Sequence, residues 1–228
     1  MEQRISRQTM VLYLLCGFAG CLLMASSDWL MIYGNTAAQG ALPWLTEGVA
    51  LVPPWRNTLA LALAFPAVVC YLIALLGVRY FLRERSARKL YVSLTSLGMT
   101  PWLCLHLFYT MIFFLFGWLR SQGEPDLAFS ACEAIVSHFS WLIPVADVLM
   151  VLPFLYLLFA FITNRSHYSR CMALNNPLVI FVVLKLISGF LPNVPARLAF
   201  INGLMSESML VWFIVFLVAQ FGKKAHLS

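Results

Sequence analysis

Long apolar runs separated by short polar segments dominate this sequence. Six of the runs have the length and apolar character of membrane-spanning helices, since about 20 apolar residues cross the hydrocarbon core. They cover about residues 9–33, 58–78, 97–119, 135–162, 177–191 and 198–221, the fifth being short. The pattern therefore predicts an all-α fold: a polytopic membrane bundle of six transmembrane helices, forming a single transmembrane domain over residues 1–228.

The composition supports a membrane protein and excludes a separate soluble domain. The chain is 62% hydrophobic and 11% charged, with a mean hydropathy of +0.86, whereas soluble domains carry about 25% charged residues. The net charge of +6 does not indicate nucleic-acid binding, because the basic residues lie between apolar spans. We expect membrane lipid, and no nucleic acid, as a partner.

The basic residues also predict the orientation. Arg56, Arg120 and Arg197 belong to one set of helix ends, and eleven basic residues belong to the other. The eleven are Arg4, Arg7, Arg79, Arg83, Arg85, Arg88, Lys89, Arg165, Arg170, Lys223 and Lys224. By the positive-inside rule, both termini are in the cytoplasm.

The start of the fifth helix has a clear signal. Asn176 suits an N-cap position, and Pro177 suits the first position of a helix. The connection at residues 192–196 is short, so we expect the fifth and sixth helices to form an antiparallel hairpin. There is no internal repeat of the kind found in many transporters.

The fourth apolar window carries three ionisable residues. At about 100° per residue, Glu133 and Asp147 lie on one face of a continuous helix, together with Ser137, Ser140 and Pro144. His138 lies about 180° from Asp147, although Pro144 is able to kink the helix between them. Because charged side chains are costly inside a membrane, that face predicts a polar cavity.

Ionisable residues near the middle of four different windows extend this hypothesis. They are His106, Asp147, Lys185 and Glu207, with Asp28 and Glu133 nearer the external side. A structural alternative is a buried ion pair of Lys185 with Asp147 or Glu207 that fixes helix register. Four such residues in six helices exceed what packing requires, which favours a functional cavity. The sequence leaves open whether Glu207 and Asn202 face the same cavity.

From these positions we predict roles. We expect His106, Asp147 and Glu207 to act as acids and bases. Residues near them are expected to contact a ligand: Asp28, Arg56, Trp102, Tyr109, Glu133, Lys185 and Asn202. The external segment at residues 34–57, with Trp44 and Trp55, is either a connector or a lid over the cavity.

Metal and cofactor sites are not predicted. The chain lacks the HxxxH and HExxH motifs and any CxxC pair. The six cysteines are interpreted as structural thiols, because cysteine behaves as a small buried apolar residue.

The segment from Tyr168 to Leu178, YSRCMALNNPL, resembles an uncharacterised bacterial family of six-helix membrane proteins. The family pattern also matches Asp28, Trp55 with Arg56, His106, and Asn202 or Ser206 with Met209. Two positions depart from it: Ser27 replaces a glycine and Cys171 replaces a tryptophan. The resemblance implies the fold and a location in the bacterial inner (plasma) membrane, but no activity.

Three functional hypotheses follow. The first is a membrane-embedded enzyme or binding protein for a lipid-like or small apolar ligand. The second is a proton-coupled small-molecule transporter, which with six helices would act as a homo-oligomer. The third is a structural or accessory membrane subunit. The first is ranked slightly ahead, because a polar interior under a lid-like segment suits a ligand cavity.

Overall fold

A computed structural model describes residues 5–32, 52–192 and 194–222. These ranges form seven α-helices and two short 3-10 helices, Arg79–Phe81 and Arg170–Asn175. The α-helices are α1 (Arg7–Ile32), α2 (Pro54–Val78), α3 (Arg85–Ser121), α4 (Pro125–Phe139), α5 (Leu142–Ile162), α6 (Pro177–Phe190) and α7 (Pro195–Gly222). Over the described ranges the fold is all-helical, as predicted.

Five of these helices (α1, α2, α3, α5 and α7) are long and apolar enough to cross a membrane. They indicate a multi-pass membrane protein. The fifth predicted span corresponds to α6, which has 14 residues. At 1.5 Å per residue it is about 21 Å long, less than the roughly 30 Å of a hydrocarbon core.

The prediction of one helix over residues 135–162 is wrong. The structure ends α4 at Phe139 and begins α5 at Leu142. Pro144 explains the break, because proline has no N–H to donate to the Ser140 carbonyl four residues earlier. That carbonyl accepts from Ile143 instead, and the Ser140 hydroxyl donates to the Ser137 carbonyl at 2.9 Å. Glu133 and Asp147 therefore belong to two separate helices.

The predicted start of α6 is confirmed. The Asn176 side chain accepts a hydrogen bond from the Leu178 amide at 3.0 Å, and Pro177 is the first helical residue. The Asn176 amide also donates to the Phe154 carbonyl on α5 at 2.9 Å. At the other end of α6, Arg197 Nε donates to the Ser188 carbonyl at 3.1 Å, so α6 and α7 form the expected antiparallel hairpin.

Close helix contacts hold the bundle together. Helix α1 packs against α2 and α7, and α3 packs against α2 and α5. At Gly98 on α3, an added methyl group would collide with the Leu149 carbonyl oxygen of α5. Glycine lets these two backbones approach, as small residues commonly do between membrane helices.

An aromatic cluster fills one end of the bundle. Its members are Phe81, Phe154, Phe161, Tyr168, Trp212 and Phe216. Two loops meet beside it: the Arg83 amide donates to the Arg165 carbonyl at 3.0 Å, and the His167 amide donates to the Phe81 carbonyl at 2.8 Å. Because the basic loop residues lie here, we call this the basic end of the bundle.

Candidate functional site

Three helices meet around a buried carboxylate on α1. Asp28 is 6% exposed and lies one turn before the end of α1. Its Oδ1 is 3.5 Å from Nε2 of His106 on α3. Its Oδ2 accepts a hydrogen bond from Ser206 Oγ on α7 at 3.3 Å. An acid, an imidazole and a hydroxyl from three different helices therefore share one buried position.

A second carboxylate lies beside the first. Glu207 follows Ser206 on α7, and its Oε1 accepts a hydrogen bond from Trp29 Nε1 at 3.1 Å. Its Oε2 is buried and has no hydrogen-bond partner among the described residues. The carboxylate folds back over Gly203, where an added Cβ would lie 3.3 Å from Oε1. We call Asp28, Trp29, His106, Ser206 and Glu207 the polar cluster.

Arg56 approaches this cluster from the start of α2. Its guanidinium donates to the Trp29 carbonyl at 3.2 Å. Further along α2, the buried Tyr71 places its hydroxyl near Ser206 and Asp28. A cationic group and a phenol thus join two acids and an imidazole, an arrangement suited to binding a polar group and to holding a proton.

The His106 face of α3 continues toward α5. The ring centroids of Trp102 and His106 are 6.1 Å apart. The indole of Trp102 also lies near Asp147 on α5. Tyr109, less than one turn beyond His106, is partly exposed, and Asp147 is exposed. Trp102 therefore lies near both Asp147 and His106.

The predicted site residues fall into two groups. The structure brings Asp28, His106 and Glu207 into one cluster, with Arg56 at its edge and Trp102 beside it. Three others are exposed on separate helices: Glu133 on α4, Lys185 on α6 and Asn202 on α7. The ligand and catalytic roles of all these residues stay predictions.

Sequence reasoning missed Trp29, Tyr71 and Ser206 as site residues. Ser206 and Trp29 stand next to Glu207 and Asp28 in the chain, so adjacency to an intramembrane carboxylate was the available signal. Tyr71 gave no such signal, because it is a lone hydroxyl in an apolar run. The predicted lid residue Trp44 lies outside the described residues, and Trp55 is 60% exposed at the start of α2.

An apolar groove lies on a different face of α3. It has a volume of about 430 Å³ and lies between α3, the end of α4 and the start of α5. Its lining residues are Pro101, Cys104, Leu105, Phe108, Phe139, Leu142, Val145 and Ala146. Its position against the outward faces of α3 and α5 suits contact with acyl chains rather than with polar groups.

Metal ligation has little support in the described part of the chain. Asp28 and His106 are paired, but the described ranges contain no group of three His, Cys, Asp or Glu side chains arranged around one point. All six cysteines are free thiols. The sequence expectation that cysteine is buried fails for Cys104 and Cys171, which are exposed.

Comparison with known proteins gives a family but no characterised relative. No curated protein and no solved structure matches the chain. The chain belongs to a family of unknown function, DUF6796, whose sequence model matches residues 1–221.

Proposed function

We propose that this protein is a six-span protein of the bacterial inner (plasma) membrane, with one transmembrane domain over residues 1–228 and both termini in the cytoplasm. The direction of the helices supports a sixth crossing. Helices α5 and α7 both end at the basic end, so the chain between them has to return through the bundle. Helix α6 makes most of that return, and the 3-10 helix Arg170–Asn175 precedes it. The excess of basic residues at this end supports a cytoplasmic location.

We further propose that the polar cluster binds a small lipid-like ligand, whose polar group lies between α1, α3 and α7. The observation that carries this proposal is the buried Glu207 Oε2, which lacks a partner among the described residues. A buried carboxylate oxygen without a hydrogen bond is costly. A ligand that donates a hydrogen bond to it recovers that free energy on binding.

The rest of the cluster suits the same role. His106, positioned by Asp28, is a candidate proton donor or acceptor for a group bound beside Glu207. Arg56 supplies positive charge near the Trp29 carbonyl. Asp147 and Trp102 lie on the approach from α5. The cluster therefore has the components of a binding site, and with His106, Asp147 and Glu207 as acids and bases it also has those of an enzyme.

Native mass spectrometry of the protein purified in a mild detergent tests this proposal. We expect the wild-type chain to retain lipid, and Asp28→Asn and Glu207→Gln to lose most of it. Asp126→Asn is a matched control, because Asp126 is an exposed carboxylate in the first turn of α4. Equal lipid retention in wild type, Asp28→Asn and Glu207→Gln would overturn the proposal.

The Asp28–His106 contact favours one alternative, a proton-coupled transporter. Chains of Asp, Glu and His inside membranes commonly relay protons. In proteoliposomes, this function predicts an ion or solute flux that responds to a pH gradient and disappears in His106→Gln. A pH-independent flux, or the same flux in His106→Gln, would exclude it.

A further inference from the structure

A second cavity lies at the basic end of the bundle, between the start of α1 and the end of α7. It has a volume of about 500 Å³, and its lining residues are Arg7, Gln8, Val11, Leu12 and Phe221. Arg7 and Gln8 are in the first turn of α1, and Val11 and Leu12 follow about one turn later. Leu12 and Phe221 are 62% and 59% exposed. This basic-end cavity therefore combines a cationic and polar part with an apolar part that is open to the surroundings.

Arg7 is held by α7 but keeps unused hydrogen-bond donors. Its Nη2 donates to the Gln220 carbonyl in the last turn of α7, where carbonyls have no partner within the helix. Its guanidinium carbon lies 5.9 Å from the centroid of the Phe221 ring. A guanidinium has five N–H donors, and the Gln220 carbonyl is its single acceptor among the described residues. Arg7 therefore has donors for a ligand that enters the cavity.

The positive charge of Arg7 lacks a counter-ion in the described part of the chain. Arg7 forms no ion pair with a described carboxylate, and its Nε is buried without a described partner. The N-terminal end of α1 adds the partial positive charge of the helix dipole. In sequence, residues 1–12 and 208–228 contain one acidic residue, Glu2, and four basic ones: Arg4, Arg7, Lys223 and Lys224. An anion beside Arg7 would therefore compensate positive charge.

The apolar part of the cavity favours a phospholipid over a soluble anion. Arginine binds phosphate oxygens through two parallel N–H groups. A free phosphate would leave Leu12 and Phe221 uncovered, whereas an acyl chain would cover them and bury its own apolar surface. A lipid with an ammonium headgroup would bring a second positive charge close to Arg7. The cavity thus fits a phospholipid with a net negative charge.

We infer that the basic-end cavity binds an anionic phospholipid, whose phosphate contacts Arg7 and whose acyl chain lies against Leu12 and Phe221. The inference goes beyond the function proposed above and depends on it only for the leaflet. The proposed orientation places this end on the cytoplasmic side, where anionic lipids attract basic residues. The polar cluster is a different site, because its carboxylates, Asp28 and Glu207, disfavour a negative headgroup. An anionic lipid therefore reports on this cavity, and a lipid without net charge reports on the polar cluster.

Titration of the purified protein with a phosphatidylglycerol-type lipid, followed by native mass spectrometry, tests the ligand class. We expect Arg7→Gln to weaken binding of this lipid about tenfold, because a charge-assisted contact is lost. Arg7→Lys should weaken it less, since lysine keeps the charge but not the paired N–H groups. Binding of a phosphatidylethanolamine-type lipid should be the same in Arg7→Gln and wild type.

Arg88→Gln is the matched control. Like Arg7, Arg88 donates to a backbone carbonyl at the basic end, that of Leu82 at 2.8 Å. It also lies over an aromatic ring, 5.8 Å from the centroid of Tyr80. It does not line the cavity, so Arg88→Gln should keep wild-type binding of the anionic lipid.

Three results would overturn the inference. Equal losses in Arg7→Gln and Arg88→Gln would show a general attraction of anionic lipid to the basic end. Unchanged binding in Arg7→Gln would show that Arg7 does not hold the headgroup. Displacement of the lipid by an equal concentration of inorganic phosphate would show an anion site that does not use the acyl chain. None of these results affects the polar cluster, which is tested with the uncharged lipid.

Two substitutions that keep Arg7 test the apolar part of the cavity. Leu12→Trp places a larger side chain where the acyl chain is expected, and it leaves the contact between Arg7 and α7 in place. We expect it to weaken binding of the anionic lipid about tenfold, since a few buried CH₂ groups account for such a change. Leu22→Trp, at another exposed leucine of α1, should keep wild-type binding. Equal binding by Leu12→Trp and Leu22→Trp would overturn the position of the acyl chain, whether or not Arg7→Gln folds.

Discussion

The aromatic cluster at the basic end and the polar cluster nearer the opposite end belong to the same bundle. They differ in the hydrogen bonding of their polar atoms. Around the aromatic cluster, the Gln220 amide donates to the Tyr168 hydroxyl, and Ser166 Oγ donates to the Tyr168 carbonyl at 3.0 Å. In the polar cluster, Glu207 Oε2 is buried without a partner among the described residues. Trp212 Nε1, in the aromatic cluster, also lacks a hydrogen-bond partner among the described residues. It is a neutral donor, however, and burying an unpaired neutral donor costs less free energy than burying an unpaired carboxylate oxygen.

The contrast separates stability from function. Aromatic packing between several chain segments fixes the fold, and its few polar groups serve that packing. The polar cluster instead brings two carboxylates together and leaves Glu207 Oε2 without a hydrogen bond among the described residues, which lowers stability unless a ligand binds. Sites of this kind are commonly maintained at the expense of stability. Substitutions in the two clusters should therefore change the free energy of unfolding to different extents.

Trp212→Ala should have the largest effect. Trp212 is fully buried, and its ring lies 6.2 Å from Phe154 and 5.6 Å from Phe216, measured between centroids. Removing a large buried aromatic side chain leaves a cavity and typically costs about 3–5 kcal/mol. We expect a comparable loss in the free energy of unfolding, measured by thermal or denaturant unfolding in detergent. Trp55→Ala, at an exposed position, is the control. A Trp212→Ala variant as stable as wild type would show that the aromatic cluster is not what stabilises the fold.

Gly98→Ala should have the next largest effect, because it acts on the close contact between α3 and α5. The new methyl group would collide with the Leu149 carbonyl, and overpacking of this kind costs about 1–3 kcal/mol. Gly189→Ala on α6 is the matched control, since an added Cβ there meets nothing within 4 Å. It should leave stability unchanged or raise it by up to about 1 kcal/mol. Equal melting temperatures of the two variants would contradict the predicted contact.

Tyr168→Phe should have a smaller effect that depends on pH. Burial raises the pKa of Tyr168 to about 12, whereas an unfolded tyrosine has a pKa of about 10. The folded state therefore keeps its proton where the unfolded state loses it, so this contribution to stability is complete below pH 10 and declines between pH 10 and 12. At neutral pH we expect Tyr168→Phe to lose about 1 kcal/mol with the Gln220 hydrogen bond.

Unfolding measured against pH checks the Tyr168 prediction. The decline in stability above pH 10 should be shallower in Tyr168→Phe than in wild type. Tyr80→Phe is the control, because Tyr80 is partly exposed and outside the aromatic cluster. Identical alkaline profiles for wild type and Tyr168→Phe would show that this phenol does not contribute to the pH dependence.

The sequence predicted the elements that depend on local features of the chain. Apolar length predicted the spanning helices, and Asn176 with Pro177 predicted the start of α6. Pro144 also carried a local signal for the break between α4 and α5, but the long apolar run outweighed it. The missing hydrogen bond from Pro144 to the Ser140 carbonyl was the physical reason to divide that run.

The sequence did not predict which helices lie side by side in the bundle. Periodicity gives the depth and the face of a residue within its own helix, and it placed His106, Asp147, Lys185 and Glu207 in one layer. Which helices are neighbours depends on packing between distant segments. That packing brings His106 next to Asp28, whereas Lys185 is exposed on α6. The positions of Ser206 and Tyr71 near Asp28 likewise depend on the packing of α1, α2 and α7.

Glu207→Gln should have the smallest effect on stability and a large effect on the ligand. Glutamine keeps an oxygen that accepts from Trp29 Nε1, and it puts an amide nitrogen in place of Oε2, which lacks a partner among the described residues. Removing an incompletely compensated buried charge is often neutral or stabilising. We therefore expect the free energy of unfolding, measured without lipid, to change by less than about 1 kcal/mol. Added lipid should raise the melting temperature of wild type by mass action but not that of Glu207→Gln. A loss of stability in Glu207→Gln as large as that in Trp212→Ala would contradict this prediction. It would mean that Glu207 stabilises the packing of α7 against α1, so that both clusters have a structural role.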